Sequence, residues 1–328
     1  MSDQIKIYYG NRNNKFTNMI TKVFKMGKLK NEYISKILEG DGLNLYKKVF
    51  THPTADSKHN YESLEILGDS IVNCCIVWYL SRRFPQLNCP EGVKIIARLK
   101  INLVSKKMFA DFGYKLGFWP YVSADMEIRQ NKMKPTLEDV FEAFFGATQK
   151  LVDEKIRKGV GYSICYNITE YLFDQIDISL KYDDLYDAKT RLKELFDVFK
   201  QEKMVNGRML RSIGQLKYVT TKDRVNKINY TKIYRKKVSS SSNDVLLQKL
   251  LDLGKTLDNN YSNQLNIKNV ISSLRKNGAK TTEDLELIGE GSSSLKPDSE
   301  QKASEKALEY MKKIGYIRDI PNFYKTLY

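Results

Sequence analysis

The stretch ESLEILGDS, residues 62–70, places two acids, Glu65 and Asp69, four residues apart beside an apolar stripe. Residues at this spacing share one face of a helix, so both carboxylates project the same way. The apolar positions also follow helical spacing, and they are Leu64, Leu67 and Ile71. The pattern predicts an amphipathic helix, anchored in a core, that presents a pair of carboxylates.

A second stretch, LEDVFEA at residues 137–143, has the same character. Asp139 and Glu142 are three apart and share a helical face. The expected core positions of this helix are Phe141, Phe144 and Phe145. If four carboxylates converge without a basic partner, they repel one another unless divalent cations neutralise them, and oxygen ligands suit Mg²⁺ or Mn²⁺. The two stretches therefore predict halves of one metal site, which favours phosphodiester hydrolysis.

Two further motifs occur in order with these acids: FTHPT at residues 50–54 and RLKINLVS at residues 98–105, while His59-Asn60 precedes the first acidic stretch. Together the four motifs resemble those of the ribonuclease III endonucleases, which cut double-stranded RNA. The resemblance covers roughly residues 30–237 and 285–315. Ser63 stands where the family usually carries Arg, so a supporting ion pair is expected to be missing while the metal ligands remain.

The resemblance implies that one or two Mg²⁺ ions, with Mn²⁺ as a substitute, are held by Glu65, Asp69, Asp139 and Glu142. It implies hydrolysis without a covalent nucleophile, leaving 5′-phosphate and 3′-hydroxyl ends, with Glu142 as the most sensitive ligand. It also gives supporting roles near the cluster to Glu62, Lys134 and Asn102, although Glu62 and Lys134 serve equally as ordinary surface residues. An alternative gives Asp139 a structural role as capping-box partner of Thr136, the N-cap of the second helix. The ordered motifs favour the ligand role.

The fold class that follows is mainly α: an all-helical nuclease domain at residues 31–182, then an α-β-β-β-α double-stranded-RNA-binding domain at 187–318. Residues 215–221 and 228–236 alternate as strands do. A helical insertion is expected at about 238–284, and a tail at 319–328. Residues 1–30 form a basic extension with a possible amphipathic helix over 16–26, which either packs on the core or is a flexible arm.

The RNA-binding positions implied by the resemblance are Lys189, Thr190, Glu194 and Lys296. Between residues 200 and 237 the chain carries twelve Lys or Arg against two acids, and beside such a domain this run indicates a phosphate-tracking surface. Three features depart from the family: Asp197 replaces Gln, Pro297 replaces a basic residue, and no Gly-Pro-x-His loop joins the first strands. These departures predict that the RNA-binding domain on its own binds duplex RNA with low affinity.

The formal charge of +16 makes a polyanionic partner plausible, either nucleic acid or an acidic membrane surface. The run Ile71–Leu80 is shorter than the roughly 20 residues that a bilayer crossing needs. Cys74 and Cys75, in an apolar run, are expected to be buried free thiols without metal-ligand spacing to the other cysteines. We therefore expect a soluble, intracellular and cytoplasmic protein, with a nuclear or viral-factory location left open.

Frequent Asn, Lys, Ile and Tyr indicate AT-rich coding DNA, as in a low-GC microbe or a large DNA virus. One nuclease domain per chain implies a homodimer, with Ile66, Ile71 and Val72 at the seam or, equally, in the core. The leading hypothesis is a Mg²⁺-dependent double-strand-specific endoribonuclease. The alternatives are a non-catalytic RNA-binding scaffold and a protein that sequesters duplex RNA without turnover.

Overall fold

The computed structural model describes residues 6–201, 203–205, 208–210, 212–236 and 285–327. Contacts divide the chain into a first unit, Met1–Lys181 with Thr326–Tyr328, and a second unit, Tyr182–Lys325. The expected insertion at 238–284 lies outside the described residues. The first unit is helical, and the second combines helices with antiparallel strands, as the mainly α prediction requires.

Helices form nearly all of the described first unit: α1 (Asn14–Met26), α2 (Asn31–Leu38), α3 (Asp41–Val49), α4 (Glu62–Arg83), α5 (Val93–Leu103), α6 (Lys106–Lys115), α7 (Met126–Asn131), α8 (Met133–Lys155) and α9 (Val160–Phe173). The all-helical prediction missed one small feature. Two-residue strands β1 (Ile7–Tyr8) and β2 (Ala124–Asp125) pair antiparallel and tie the N-terminal segment to the segment before α7.

The two acidic stretches lie on α4 and α8, which are the longest helices of the described chain. Acids in the first turn of α4 and arginines in its last turn complement the helix dipole. Helix α8 begins at Met133, and the Thr136 amide donates to the Lys132 carbonyl at 3.1 Å. The N-cap prediction for Thr136 is therefore wrong. The helix starts earlier because Pro135 is tolerated in a first turn, where its missing N–H has no intrahelical partner.

Aromatic and aliphatic side chains of α4 and α8 fill the core, as predicted for Leu64, Ile71 and the phenylalanines of α8. Phe141 stacks on Phe109 with ring centroids 5.2 Å apart. Leu67 is an exception, because 40% of its surface is exposed. By length and composition alone α4 could cross a membrane, but helices of protein cores pass the same test, and Leu64, Val72 and Ile76 of this helix are buried in the core here.

The N-terminal extension contains the predicted amphipathic helix, α1, and its apolar face packs on the core. Phe16, Ile20 and Phe24 are fully buried, and the ring of Phe16 meets that of Phe50 at 5.2 Å, edge to face. Of the two alternatives for this segment, packing is therefore the one observed over α1. A domain boundary near residue 30 does not match a break in the structure, since contacts place α1 in the first unit.

The second unit contains helices α10 (Tyr182–Leu185), α11 (Ala188–Val198), α12 (Lys296–Lys313) and α13 (Asn322–Lys325), and strands β3 (Lys203–Val205), β4 (Arg208–Leu210), β5 (Gln215–Asp223), β6 (Ile228–Lys236) and β7 (Leu285–Ser293). Strands β5, β6 and β7 form one antiparallel sheet in that order. The short β3–β4 hairpin was not predicted.

Helices α11 and α12 pack on the sheet through a small core that includes Leu192, Ile233, Ile288 and Ala303. The unit is longer than the predicted 187–318. Tyr324, on α13, is buried and bonds the Tyr186 hydroxyl at 2.8 Å, so the expected tail at 319–328 is partly folded. The sequence did not reveal this, because the contact joins two short segments without a periodic pattern.

The four cysteines are free thiols. Cys75 and Cys165 are buried, whereas Cys74 is exposed and lies 3.6 Å from the Tyr162 hydroxyl. The prediction that Cys74 is buried is wrong, because adjacent residues on a helix point in directions about 100° apart.

Candidate active site

Two glycines let α4 and α8 cross at very short range. A Cβ at Gly68 would overlap the Glu142 carbonyl oxygen, and a Cβ at Gly146 would overlap the Leu64 carbonyl oxygen. Each glycine therefore meets the backbone of the opposite helix. This reciprocal contact sets the acidic face of α4 directly beside that of α8.

Glu142 is a buried acid of the site, with 8% of its surface exposed. Burial, and after it the nearby carboxylates of Asp69, Glu138, Glu65 and Asp139 in that order, together raise its pKa to about 8. Both causes disfavour the charged form. The structure thus brings all four predicted ligands into one electrostatic cluster centred on Glu142.

Two neutral side chains orient the outer carboxylates. The Tyr61 hydroxyl donates to Asp139 Oδ2 at 2.9 Å, and the Asn73 amide donates to Asp69 Oδ1 at 2.7 Å. Tyr61 is buried, and its pKa is raised by burial and then by Asp139, Glu65 and Glu62. Its hydroxyl therefore stays a donor. Sequence reasoning missed both residues, although Asn73 follows Asp69 at the four-residue spacing of one helical face.

Glu138 is a further acid that sequence reasoning passed over. It is buried on α8 one turn before Glu142, and its charge contributes to the raised pKa of Glu142. The available signal was its four-residue spacing from Glu142, which equals the spacing of Glu65 and Asp69. The cluster is thus more acidic than four carboxylates alone would make it.

The donor chemistry of this cluster fits a hard divalent cation. Among the described residues, no group of three or more His, Cys, Asp or Glu side chains is already spaced to hold a metal ion. The donors are nevertheless all oxygens, and a cation would relieve the repulsion that raises the pKa of Glu142. Mg²⁺ commonly keeps several water ligands, so it needs direct contact with only one or two carboxylates. On this basis the residues fit Mg²⁺.

The predicted supporting residues are less closely tied to the cluster. Glu62 is exposed at the start of α4 and is near enough to raise the pKa of Tyr61. Lys134 is exposed in the first turn of α8, and Asn102 is exposed near the end of α5. Their roles remain predictions. At Ser63, where the family usually has Arg, the Lys48 ammonium lies 3.4 Å from the hydroxyl and supplies a positive charge beside α4.

His52 packs edge to face on Tyr61, with ring centroids 5.7 Å apart, and its Nδ1 accepts from the Thr54 amide at 3.1 Å. Burial lowers its pKa, while Asp125, Asp139 and Glu62 oppose the shift. The contact with Tyr61 indicates a packing residue behind the site.

The predicted RNA-binding residues lie on α11 and α12 of the second unit. Lys189 Nζ lies 2.5 Å from Glu300 Oε2, and Lys296 Nζ lies 3.8 Å from Glu300 Oε1. Thr190 donates its amide and hydroxyl to Asp187, the N-cap of α11. These contacts are all internal to the unit, and nucleic-acid binding by these residues remains a prediction.

Glu194 is held within the second unit. Its carboxylate accepts from the Tyr182 hydroxyl at 2.5 Å and forms an ion pair with Arg318. Because Tyr182 precedes the predicted domain and Arg318 is its last residue, sequence reasoning missed this structural role. The described basic stretch contributes a separate cluster at the β5–β6 turn, where Lys222, Arg224 and Lys227 line an open site of about 670 Å³.

A sequence profile of the ribonuclease III domain matches residues 62–149, which span both acidic helices. A protein of Invertebrate iridescent virus 6, provisionally named ribonuclease 3, is 35% identical over 337 residues, covering 99% of this chain and 97% of that protein. A protein of Frog virus 3, isolate Goorha, with the same provisional name, is 40% identical over 199 residues, covering 60% of this chain and 53% of its own length.

Among solved structures, the chain is similar to the nuclease domain of ribonuclease III from Campylobacter jejuni, described as flexible in a region involved in dimer formation. The match covers 43% of this chain and 94% of that domain, at 25% identity and a TM-score of 0.35.

Proposed function

The chain belongs to the ribonuclease III family of endoribonucleases, and we propose that its first unit hydrolyses phosphodiester bonds of double-stranded RNA with Mg²⁺. Mn²⁺ is proposed as a substitute. One observation carries the proposal: Glu142 is buried among acids from both α4 and α8, so that folding brings like charges together. Such an arrangement is unfavourable by itself and becomes favourable when a cation binds.

The proposed ligands are Glu65 and Asp69 on α4, and Asp139 and Glu142 on α8. When bound, Mg²⁺ polarises the scissile phosphate and lowers the pKa of the attacking water. Glu142 must be ionised to act as a ligand, and the approach of a cation favours that form. Tyr61 and Asn73 hold Asp139 and Asp69 by hydrogen bonds, so less side-chain freedom is lost on binding. The proposed products carry 5′-phosphate and 3′-hydroxyl ends.

The second unit is proposed to hold the RNA duplex through phosphates and 2′-hydroxyls, which is the usual mode for A-form helices. Lys296 is the strongest of the four predicted contacts, because its side chain is 63% exposed. Lys189 and Thr190 would join it from α11. Glu194 would contribute mainly by holding α11, through Tyr182 and Arg318.

A homodimer through the first unit is the proposed assembly, because one duplex has two strands to cut. Ile66 is 74% exposed on α4, and Trp78 is 54% exposed a little over three helical turns later. Ile71 and Val72 are buried, so of the three predicted seam residues only Ile66 can contact a partner without rearrangement. In sedimentation experiments we expect Ile66→Lys to shift the protein toward monomer. An unchanged dimer would place the seam elsewhere.

The proposed function is tested with labelled duplex RNA in Mg²⁺, in Ca²⁺ and in chelator. We expect cleavage in Mg²⁺ only, with binding retained in Ca²⁺, because the larger ion tolerates looser geometry. Glu142→Gln should lower the cleavage rate by on the order of 10³-fold or more while duplex affinity stays within a few-fold. Glu154→Gln, the same change at an exposed position of α8, is the matched control.

The alternatives predict different results in the same assay. A scaffold or a sequestering protein would bind the duplex in every condition and leave it intact in Mg²⁺. Cleavage by Glu142→Gln at the wild-type rate would show that the acidic cluster is not the active site.

A further inference from the structure

A second feature of the first unit is a basic groove that does not include the acidic cluster. It is an open cavity of about 470 Å³ between the N-terminal segment, the end of α3 and the loop before α4. The residues of its lining that matter here are Tyr9, Arg12, Lys47, Lys48, Asp56 and His59.

Arg12 fixes the N-terminal segment as one wall of the groove. Its guanidinium donates to the carbonyls of Phe50, at 3.0 Å, and Tyr121, and to the Ser123 hydroxyl at 3.2 Å. Gly10 lies so close that a Cβ would overlap the Tyr121 carbonyl oxygen. The wall is therefore preorganised. Burial lowers the pKa of Arg12 to about 10, so the guanidinium keeps its charge at neutral pH.

Two further cations come from the last turn of α3. Lys47 Nζ donates to Asn44 Oδ1 at 3.1 Å, and Lys48 Nζ donates to Ser63 Oγ at 3.4 Å. Both partners are neutral, so these contacts orient the ammonium groups without cancelling their charge. The groove thus gathers three cations supplied by segments that are separate in the sequence.

One acid lies among the described lining residues, and its charge is partly compensated. The Asp56 carboxylate accepts from the amides of Lys58 and His59, at 2.8 and 2.9 Å, and lies 3.4 Å from His59 Nδ1. Backbone hydrogen bonds of this kind lower the pKa of Asp56. The groove remains net positive, which is the opposite of the nearby acidic cluster.

The position of the groove indicates its ligand. Ser63, which Lys48 touches, is in the first turn of α4, two residues before Glu65. A polyanion reaching the acidic cluster would therefore pass close to these lysines. Tyr9 is 70% exposed in the lining and is therefore accessible to a ligand in the groove.

We propose that this groove binds backbone phosphates of the duplex RNA next to the position that is cut. The N-terminal segment thereby gives the first unit a phosphate-binding site of its own. Lys47 and Lys48 neutralise phosphates, Arg12 holds the wall and adds charge, and the contact is independent of sequence because it does not read bases. This inference rests on the proposed function.

The test measures duplex RNA affinity against salt concentration in full-length protein carrying Glu142→Gln, so that the RNA stays intact. Each neutralised phosphate contributes about −0.9 to the slope of log K against log salt. We expect Lys47→Gln with Lys48→Gln to make the slope shallower by about 2 and to weaken binding about tenfold near physiological salt. The matched control is Lys150→Gln with Lys158→Gln, which removes two exposed charges of the same unit outside the groove.

An unchanged slope in the groove variant, with normal binding by the parent, would overturn this inference and leave the proposed function standing. An equal loss in both double variants would overturn it too, because only net charge would matter. A parent that neither binds nor, with Glu142 restored, cuts duplex RNA would overturn both. Should the groove variant fail to fold, the same binding measurement is made with Asp56→Asn, which removes the acid from the groove lining. Tighter duplex binding supports the phosphate site, and unchanged affinity overturns it.

Discussion

Charged residues of interest have like-charged neighbours in the first unit and oppositely charged neighbours in the second. In the first unit, acids from α4 and α8 are packed together, and the pKa of Glu142 rises to about 8 because burial and its neighbours disfavour the charge. In the second unit, predicted RNA-binding residues meet opposite charges: Lys189 and Lys296 meet Glu300, and Glu194 meets Arg318.

The difference shows which charges reveal a ligand. A salt bridge inside a folded unit has its partner already, so Glu194 is explained by the fold without RNA. A cluster of like charges has no such explanation, because folding alone would favour separating them. The acidic cluster is therefore the stronger sign of function, while the RNA-binding residues need a measurement.

The strongest intervention is Gly68→Ala, because a methyl group there would collide with the Glu142 carbonyl oxygen and push α4 away from α8. We expect a loss of about 3 kcal/mol in the free energy of unfolding, a typical overpacking cost, and cleavage reduced on the order of 100-fold. Urea denaturation and initial cleavage rates measure the two effects. Ser70→Ala, at an exposed position of the same helix, is the control; wild-type cleavage by Gly68→Ala would show that close crossing is unnecessary.

The acidic cluster should also appear in the pH dependence of stability without metal. The folded state raises the pKa of Glu142 from 4.5 to about 8. Between these values the folded protein holds a proton that the unfolded chain has lost, so stability should fall as pH rises through this window. The stability that the protonated Glu142 preserves is fully present below the lower pKa.

In chelator, we expect the free energy of unfolding of Glu142→Gln to rise relative to that of wild type as pH increases. The expected rise is on the order of 1–3 kcal/mol between about pH 5 and about pH 8. Urea unfolding at both pH values measures the difference. Saturating Mg²⁺ should remove most of the wild-type decline, because the cation offsets the repulsion. Parallel profiles for the two proteins in chelator would mean that the folded state does not raise the pKa of Glu142.

A smaller effect is expected from Tyr61→Phe, which removes the donor that holds Asp139. We expect cleavage to fall about tenfold at low Mg²⁺ and to recover at high Mg²⁺, as for other groups that orient a metal ligand. Tyr79→Phe is a close control, since Tyr79 is buried on α4 and donates to Asp174 at 2.9 Å. An equal loss at every Mg²⁺ concentration would point to general destabilisation instead.

The smallest effects concern the second unit and separate structural from RNA-facing charges. Glu194→Gln weakens the contacts with Tyr182 and Arg318, and should cost about 1 kcal/mol of unfolding free energy. Lys296→Gln should leave stability unchanged and weaken duplex binding a few-fold, because Lys296 is the more exposed of the two lysines expected to meet phosphates. Calorimetry and binding titrations distinguish the two. If Glu194→Gln changed only RNA affinity and Lys296→Gln changed only stability, the assignment of structural and RNA-binding roles in the second unit would be wrong.

Much of the fold could be predicted from local patterns. Helical spacing predicted α4, α8 and the amphipathic face of α1, and alternation predicted β5 and β6. Errors arose where a boundary depended on distant contacts. Helix α8 starts three residues before Thr136, and Leu67 is exposed despite its stripe position. A stripe three or four residues apart spans a broad arc of the helix, and packing decides which part of the arc is covered.

The candidate site shows the same division. The acidic pairs and their helical faces follow from the sequence, because spacing along one helix is local geometry, and the order of the four motifs carries the resemblance that joins them. Tertiary contacts are needed to show that Glu142 is buried among other acids, that Gly68 and Gly146 allow the helices to cross so closely, and that Arg12 builds a basic wall near α4. Burial and electrostatic shifts arise from atoms far apart in sequence, so no local pattern carries them.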